Sequence, residues 1–212
     1  MRCDLADAAA VAEAAGTVAT WLADEVPEGR VLLINNAGIG AFGPFPEPDL
    51  PLQLKMIDVN VRGVVELTGR LLPALRARGG AVLNVASTVA YQPVPYAATY
   101  AATKAFVLHW TIALDAEWRG TGVRAIALCP GTTRTEFFSA AGLPGGTVRT
   151  DGAMSADDVA AAGYRALGGG RSAVVAGGLN RAMVAGTAML PKSWAARLAG
   201  RVMAGRRSEP KP

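Results

Sequence analysis

Tyr100 and Lys104 stand four residues apart in the alanine-rich run Tyr100-Ala101-Ala102-Thr103-Lys104. If that run is helical, the two side chains share a face, with Cβ atoms roughly 5–6 Å apart. A free phenol, with a pKa near ~10, is a poor base at neutral pH. A fixed ammonium beside it favours the phenolate and should lower that value. The pair could then give a proton to a carbonyl oxygen or take one from an alcohol. The plain alternative is a surface tyrosine and lysine sharing a helix face by coincidence. The weight of the pair therefore depends on what converges on it.

The elements that would position such a pair can be read from periodicity. Val31-Leu32-Leu33-Ile34, Ala81 to Val85 and Val123 to Leu128 are short apolar runs rich in branched residues. They read as strands buried on both faces, as in a parallel sheet. Helical spacing runs from 7 to 24, with Asp7 as N-cap, and from near Leu52 through Leu75 to a stop at Gly79-Gly80. The helix bearing Tyr100 and Lys104 continues to Gly120 or Gly122. Ser155 caps another that reaches about Leu167, Ser172 to Ala176 is a short fourth strand, and a helical tail is interrupted by Pro191. Residues 39–52 and 132–154 read as irregular. Strands alternating with helices predict an α/β fold, a doubly wound, mostly parallel sheet with helices on both faces. Ligands of such sheets sit beyond the carboxyl ends of the strands. Asn35-Asn36-Ala37-Gly38, Ser87 and Pro130-Gly131 each follow a strand, so the polar candidates gather at that rim.

Composition bounds the rest. The 212 residues suit one sizeable domain, and 51% apolar with 18% charged residues is a globular composition. A net charge of +4 without a basic, aromatic-interleaved run gives no footprint for nucleic acid. Cys3 and Cys129 lie far apart and show no metal-ligand spacing, so no metal is expected and a reduced, cytoplasmic setting is the simplest. The first residues are no signal peptide, and no apolar stretch is long enough to span a bilayer. His109 falls off the Tyr100 face and reads as packed or surface, and Cys129 as a buried, inert thiol.

Taken together, these residues resemble the short-chain dehydrogenase/reductase family of single-domain Rossmann oxidoreductases. The resemblance rests on Asn35-Asn36-Ala37-Gly38 after a strand, Asn60 within Asp58-Val59-Asn60-Val61, Asn84-Val85-Ala86-Ser87, Tyr100-x-x-x-Lys104 and Pro130-Gly131-x-x-x-Thr135. Ser87 precedes Tyr100 by thirteen residues, as the family pattern wants. The resemblance implies hydride transfer between a nicotinamide cofactor, NADP or NAD with NADP slightly favoured, and a secondary alcohol or ketone. It implies Tyr100 as the acid/base, Lys104 as its modulator and a ribose ligand, Ser87 as the group that polarises the substrate oxygen, and Asn60 as a link in the proton relay. It further implies that Asn35, Ala37 and Gly38 let the backbone pass close to the adenine-side ribose. Pro130, Gly131 and Thr135 would meet the carboxamide or phosphates, and Asp4 and Leu5 the adenine. The segment from Glu136 to Met154 would be a substrate lid. Its Phe137, Phe138 and Leu143, with Val94 and Tyr96 across the pocket, suggest an apolar substrate. A homodimer or homotetramer is implied as well.

One departure matters. The family's opening strand, Gly-rich turn and helix, which cradle the diphosphate, have no counterpart before Asp4. The expectation is a partial Rossmann-type domain over 1–178, lacking those N-terminal elements, with weak cofactor binding and a bare strand edge at Val31 to Ile34. The alternative function is a non-catalytic fragment or interaction module of the same fold. Residues 179–212 read as a helical tail, where Trp194, Leu198 and Val202 form an apolar stripe beside Arg197 and Arg201. A basic amphipathic helix can lie on a membrane surface; packing on its own domain or on a partner subunit is the favoured reading.

Overall fold

Three of the apolar runs lie side by side in parallel, with the fourth strand at their flank. The computed structural model describes residues 1–142 and 152–205. Its main sheet has the order β1 (Val31–Asn35), β2 (Gly80–Val85), β3 (Val123–Cys129) and β6 (Ala173–Val175), all parallel. A two-stranded ribbon, β4 (Thr133–Arg134) with β5 (Met154–Ser155), sits beyond β3. The helices are α1 (Ala8–Asp24), α2 (Leu50–Ile57), α3 (Gly63–Arg78), α4 (Ala98–Glu117), α5 (Phe137–Ala140), α6 (Ala156–Leu167), α7 (Gly178–Ala188) and α8 (Lys192–Gly205).

Local chemistry explains several boundaries. The Asp7 carboxylate accepts from the N–H groups of Ala9 and Ala10, and Ser155 Oγ accepts from Asp158 N at 3.0 Å, capping α1 and α6 as their sequences imply. The chain enters β2 through Gly80 at φ +153°, where a Cβ would lie 1.9 Å from the Val31 carbonyl oxygen. Only glycine lets β1 and β2 approach at that point.

Alternation along the strands sorts the core into two layers. Val82 of β2 and Val123 and Ala125 of β3 face Leu75 of α3 and Trp118 after α4. Leu83, Ile126 and Leu128 face the other way, onto α6 through Ala166. Helices therefore cover both faces, but unevenly. Val31 and Leu33 of β1 join the α3/α4 layer, whereas Leu32 and Ile34 stay 44% and 52% exposed because α6 packs over β2, β3 and β6. Burial of β1 on both faces, expected from its all-apolar run, holds on one face only. Strand content alone does not say how far a neighbouring helix reaches.

Two further expectations need adjusting. The helix from Leu52 to Leu75 is a composite, with a single π-turn at Asp58–Arg62 between α2 and α3. Within the irregular stretch 132–154, the described residues form β4, the short helix α5 and the start of β5. Leu143 of the expected lid lies outside the described residues.

Candidate active site

Ser87 leaves β2 in an extended conformation and caps the 3₁₀ turn Thr88–Tyr91, its Oγ accepting from Val89 N at 3.3 Å. The same hydroxyl reaches 3.5 Å from the carbonyl oxygen of Pro130, at the end of β3. The turn hands the chain to α4, where both are buried: Tyr100 packs with Ala41 after β1 and Met56 of α2, and Lys104 reaches the end of β2. Lys104 Nζ donates to the Val85 carbonyl at 2.8 Å, which uses one of the ammonium's three N–H groups. It lies 6.0 Å from the centre of the Tyr100 ring. The structure thus brings Ser87, Tyr100 and Lys104 to one rim, from three different places in the chain.

The electrostatics correct one expectation. Burial pushes the Tyr100 phenol up to about 12, and the Ser87 hydroxyl pulls it only part of the way back. Lys104 does not lower it; burial instead pushes Lys104 down to about 8. Both groups are short of water, and each disfavours its own charged form. The helix-face argument omitted this desolvation because burial is a tertiary property. Cys129, packed behind the site, is fully buried, and burial pushes its thiol up to about 11, which disfavours the thiolate.

Asn60 sits in the π-turn, 1% exposed, and clamps the backbone that follows β1. Its Oδ1 accepts from Ile39 N at 2.9 Å, and its Nδ2 donates to the Ile39 carbonyl at 2.8 Å and to Thr103 Oγ1 at 3.1 Å. A π-turn widens the helix locally and is a common device at functional sites. Here it aims one side chain at three partners on two other segments. Asn60 thus positions the loop and α4 relative to each other, one layer behind Lys104.

A cleft of about 1040 Å³ opens in front of these residues. Of the expected cofactor contacts, Ala37, Gly38, Tyr100, Lys104, Pro130, Gly131 and Thr135 line it. A Cβ at Gly38 would come within 3.2 Å of Asn60 Oδ1 and 3.3 Å of Lys104 Nζ, so a side chain there would press on both groups and glycine eases the low path of the backbone beside the ammonium. Thr135 Oγ1 also accepts from Phe137 N at 3.3 Å, as a helix-start hydroxyl would. Asn35, Asp4 and Leu5 are placed elsewhere. Asn35 Nδ2 donates to Thr68 Oγ1 (3.0 Å) and Asn84 Oδ1 (2.7 Å), and Asn84 Nδ2 continues to Thr111 Oγ1 (2.8 Å), a buried polar ladder joining α3, β1, β2 and α4. Asp4 accepts from Ala6 N and faces Lys55 at 4.0 Å, and the Leu5 backbone packs on Gly63.

The groups on the rim fit the ribose and nicotinamide half of a dinucleotide: the two ammonium N–H groups not used by the Val85 carbonyl, the Tyr100 hydroxyl and the Pro130-Gly131 turn, which lines the cleft while the Asn180 side chain lies close against Gly131. Among the described residues, no glycine-rich turn leading from a strand into a helix lines the cleft. The α6 N-terminus beside it carries Asp157 and Asp158, which disfavour a diphosphate there.

Another wall of the cleft is aromatic. Phe137 lies 5.4 Å from Tyr100, centre to centre, and Phe42 lies 5.9 Å from Tyr100 on another side. The Phe137 ring fits over Gly40, where a Cβ would stand 2.6 Å from Cζ. Val94, Tyr96 and Phe138 join the lining as expected. Phe42 and Met203 were not foreseen there. Phe42 lay in a stretch legible only as loop, and Met203 is brought in by α8 from a hundred residues away. His109 is exposed on the far side of α4.

Residues 1–143 match the short chain dehydrogenase family, and the chain belongs to it. The chain is 37% identical over 129 residues to a serine 3-dehydrogenase of Rhizobium radiobacter, covering 60% of this chain and 48% of that protein. It is 39% identical over 142 residues to sulfoacetaldehyde reductase 2 of Chromohalobacter salexigens, covering 64% and 53%. A crystal structure of a short chain dehydrogenase from Burkholderia cenocepacia in complex with NADP superposes with a TM-score of 0.74 at 29% identity, over 93% of this chain and 77% of that one. The chain thus spans about half the length of the relatives it matches.

Proposed function

We propose that this chain carries the proton-transfer half of an NAD(P)-dependent oxidoreductase acting on an apolar secondary alcohol or ketone. The observation that supports it most is the convergence of Ser87, Tyr100 and Lys104 at the mouth of a cleft with an aromatic wall. A nicotinamide, when bound, supplies or accepts the hydride. Lys104, Gly38 and the Pro130-Gly131 turn would hold its ribose and carboxamide end.

In the reducing direction, the protonated Tyr100 phenol gives its proton to the carbonyl oxygen while Ser87 Oγ holds that oxygen in place. A phenol kept neutral up to about pH 12 is fully loaded as an acid at physiological pH. Lys104 lies behind it, and Asn60, bonded to Ile39 and Thr103, would hold the loop and α4 in place around the pair. Phe42, Phe137, Phe138 and Val94 exclude water and favour an apolar substituent on the carbonyl carbon. Among the described residues lining the cleft, Lys104 is the one basic side chain and Glu136 the one acid. That wall suits neither a sulfonate nor an amino-acid carboxylate, the groups in the names of the two relatives.

The test is Tyr100→Phe, assayed with an aryl alkyl ketone and NADPH. Removing the acid should lower turnover by about 10²-fold or more with an unchanged circular dichroism spectrum, and unchanged turnover would remove the assignment. The uncovered sheet face at Leu32 and Ile34 favours a second reading, a non-catalytic module with little dinucleotide affinity. Quenching of NADPH fluorescence by the intact chain separates the two: saturation at micromolar protein supports the enzyme.

A further inference from the structure

The last two helices carry a surface that the proton chemistry does not use. Along α8, Ala195 and Ala199 are buried against the domain and Met203 reaches the cleft. The adjoining flank stays bare: Trp194, Leu198 and Val202 are 65%, 51% and 49% exposed. These three recur every four residues and form one stripe. Arg197 and Arg201, both exposed, form a parallel row next to it. On α7, Leu179 and Met183 are exposed as well.

The charge pattern is one-sided. From Val159 to Ser208 the sequence contains no aspartate or glutamate, against seven arginines and one lysine. The chain as a whole carries only +4, so this region concentrates the positive charge. α8 packs on its own domain through Ala195 and Ala199, yet it still presents an apolar and basic strip outward.

We propose that the outward face of α8 docks on an anionic lipid surface, with Trp194, Leu198 and Val202 entering the interface and Arg197 and Arg201 meeting the headgroups. An apolar stripe bordered by arginines, with an aromatic residue at one end, is the chemistry of a helix lying in a bilayer interface. Among the described residues no helix is long and apolar enough to cross a membrane, so the geometry is that of lying on the surface. A second copy of this chain is a poorer occupant. A two-fold contact would bring the patch against itself, setting Arg197 and Arg201 against their own copies with no acid on α7 or α8 to pair with them.

The experiment is co-sedimentation of the full chain with vesicles of phosphatidylcholine containing roughly one-third phosphatidylglycerol, and with phosphatidylcholine alone. Binding is expected only to the anionic vesicles. Arg197→Glu with Arg201→Glu should weaken it about tenfold or more, and Trp194→Ser with Leu198→Ser should do the same. Arg76→Glu with Arg119→Glu makes the same charge change on exposed residues outside the tail and should leave binding nearly intact. Absence of binding to anionic vesicles overturns the proposal. So does equal loss in the Arg76/Arg119 variant, which would mean that net charge alone is responsible. Self-association that the α8 variants abolish, without any lipid binding, would assign the face to a second copy and overturn it too. None of these readouts needs a cofactor or turnover, so they stand apart from the test of Tyr100.

Discussion

Replacing Lys104 by methionine should make the folded protein more stable at neutral pH while removing turnover. Lys104 is 6% exposed, and burial pushes its ammonium from an ordinary 10.5 down to about 8. That gap corresponds to about 3 kcal/mol by which the charged form is disfavoured in the folded chain. Methionine is unbranched and similar in length, so it fills the same channel without a charge. It leaves the Val85 carbonyl without the 2.8 Å donor, which costs about 1 kcal/mol. The net expectation is a gain of about 2 kcal/mol at neutral pH. The pH dependence carries the sign. Between 8 and 10.5 the unfolded chain binds the proton that the folded one releases, so wild-type stability rises with pH across that window. The advantage of Lys104→Met is therefore full below 8, shrinks through the window and reverses slightly above 10.5. Urea unfolding of both proteins at several pH values measures it. A variant less stable than wild type at neutral pH, or a difference that ignores pH, would refute the claim that this ammonium is held at a cost in stability.

Two other perturbations probe the site and its frame. Phe137→Ala, or Gly40→Ala through its clash with the Phe137 ring, should uncover Tyr100. Its nitration, followed by mass spectrometry against the exposed Tyr164 as internal reference, should speed up several-fold; equal rates in wild type and both variants would show that Phe137 does not shield the phenol. Asp115 accepts from Arg124 Nε at 2.6 Å, Ser172 Oγ at 2.6 Å and Ala125 N at 3.0 Å. Burial pushes this carboxyl up, but those hydrogen bonds outweigh burial and hold it below the ordinary range. Its contribution is therefore complete above the ordinary carboxylate pKa and lost as pH falls through the folded value. Asp115→Ala should cost about 2 kcal/mol, the lower end for a broken pair because Arg124 is partly exposed, with little difference from wild type once acid has protonated Asp115; a penalty that persists in acid would contradict the pairing.

What could be read from the residues alone was whatever depends on nearest neighbours in sequence. The Asp7 and Ser155 caps, the strand stops at Asn35, Ser87 and Pro130, and the helix face shared by Tyr100 and Lys104 are all local patterns, and the structure has them where periodicity puts them. The misses share a different origin. Exposure of Leu32 and Ile34 depends on the reach of α6, more than a hundred residues later. The high pKa of Tyr100 depends on rings from Phe42 and Phe137, which lie in stretches without periodicity. The role of Asn35 depended on a partner strand: an Asn ending a strand looks like a turn residue, and only the parallel register sets it against Asn84 and makes it the first rung of a polar ladder. The π-turn at Asn60 has no sequence signature of its own, because its residues differ little from those of the helices on either side.

That ladder from Thr68 through Asn35 and Asn84 to Thr111 has a mechanical consequence. It bolts α3, β1, β2 and α4 into one block, and Ser87, Tyr100 and Lys104 all ride on that block. The aromatic and methionine wall arrives on separate parts, the segment after β1, α5 and α8, which the ladder does not touch. In the proposed reaction, changes of substrate would thus accumulate in the wall by swapping side chains or shifting α8, while Ser87, Tyr100 and Lys104 keep their spacing. On that proposal the chain would separate what it recognises from how it reacts, with the boundary between Tyr100 and the Phe137 ring that lies against it.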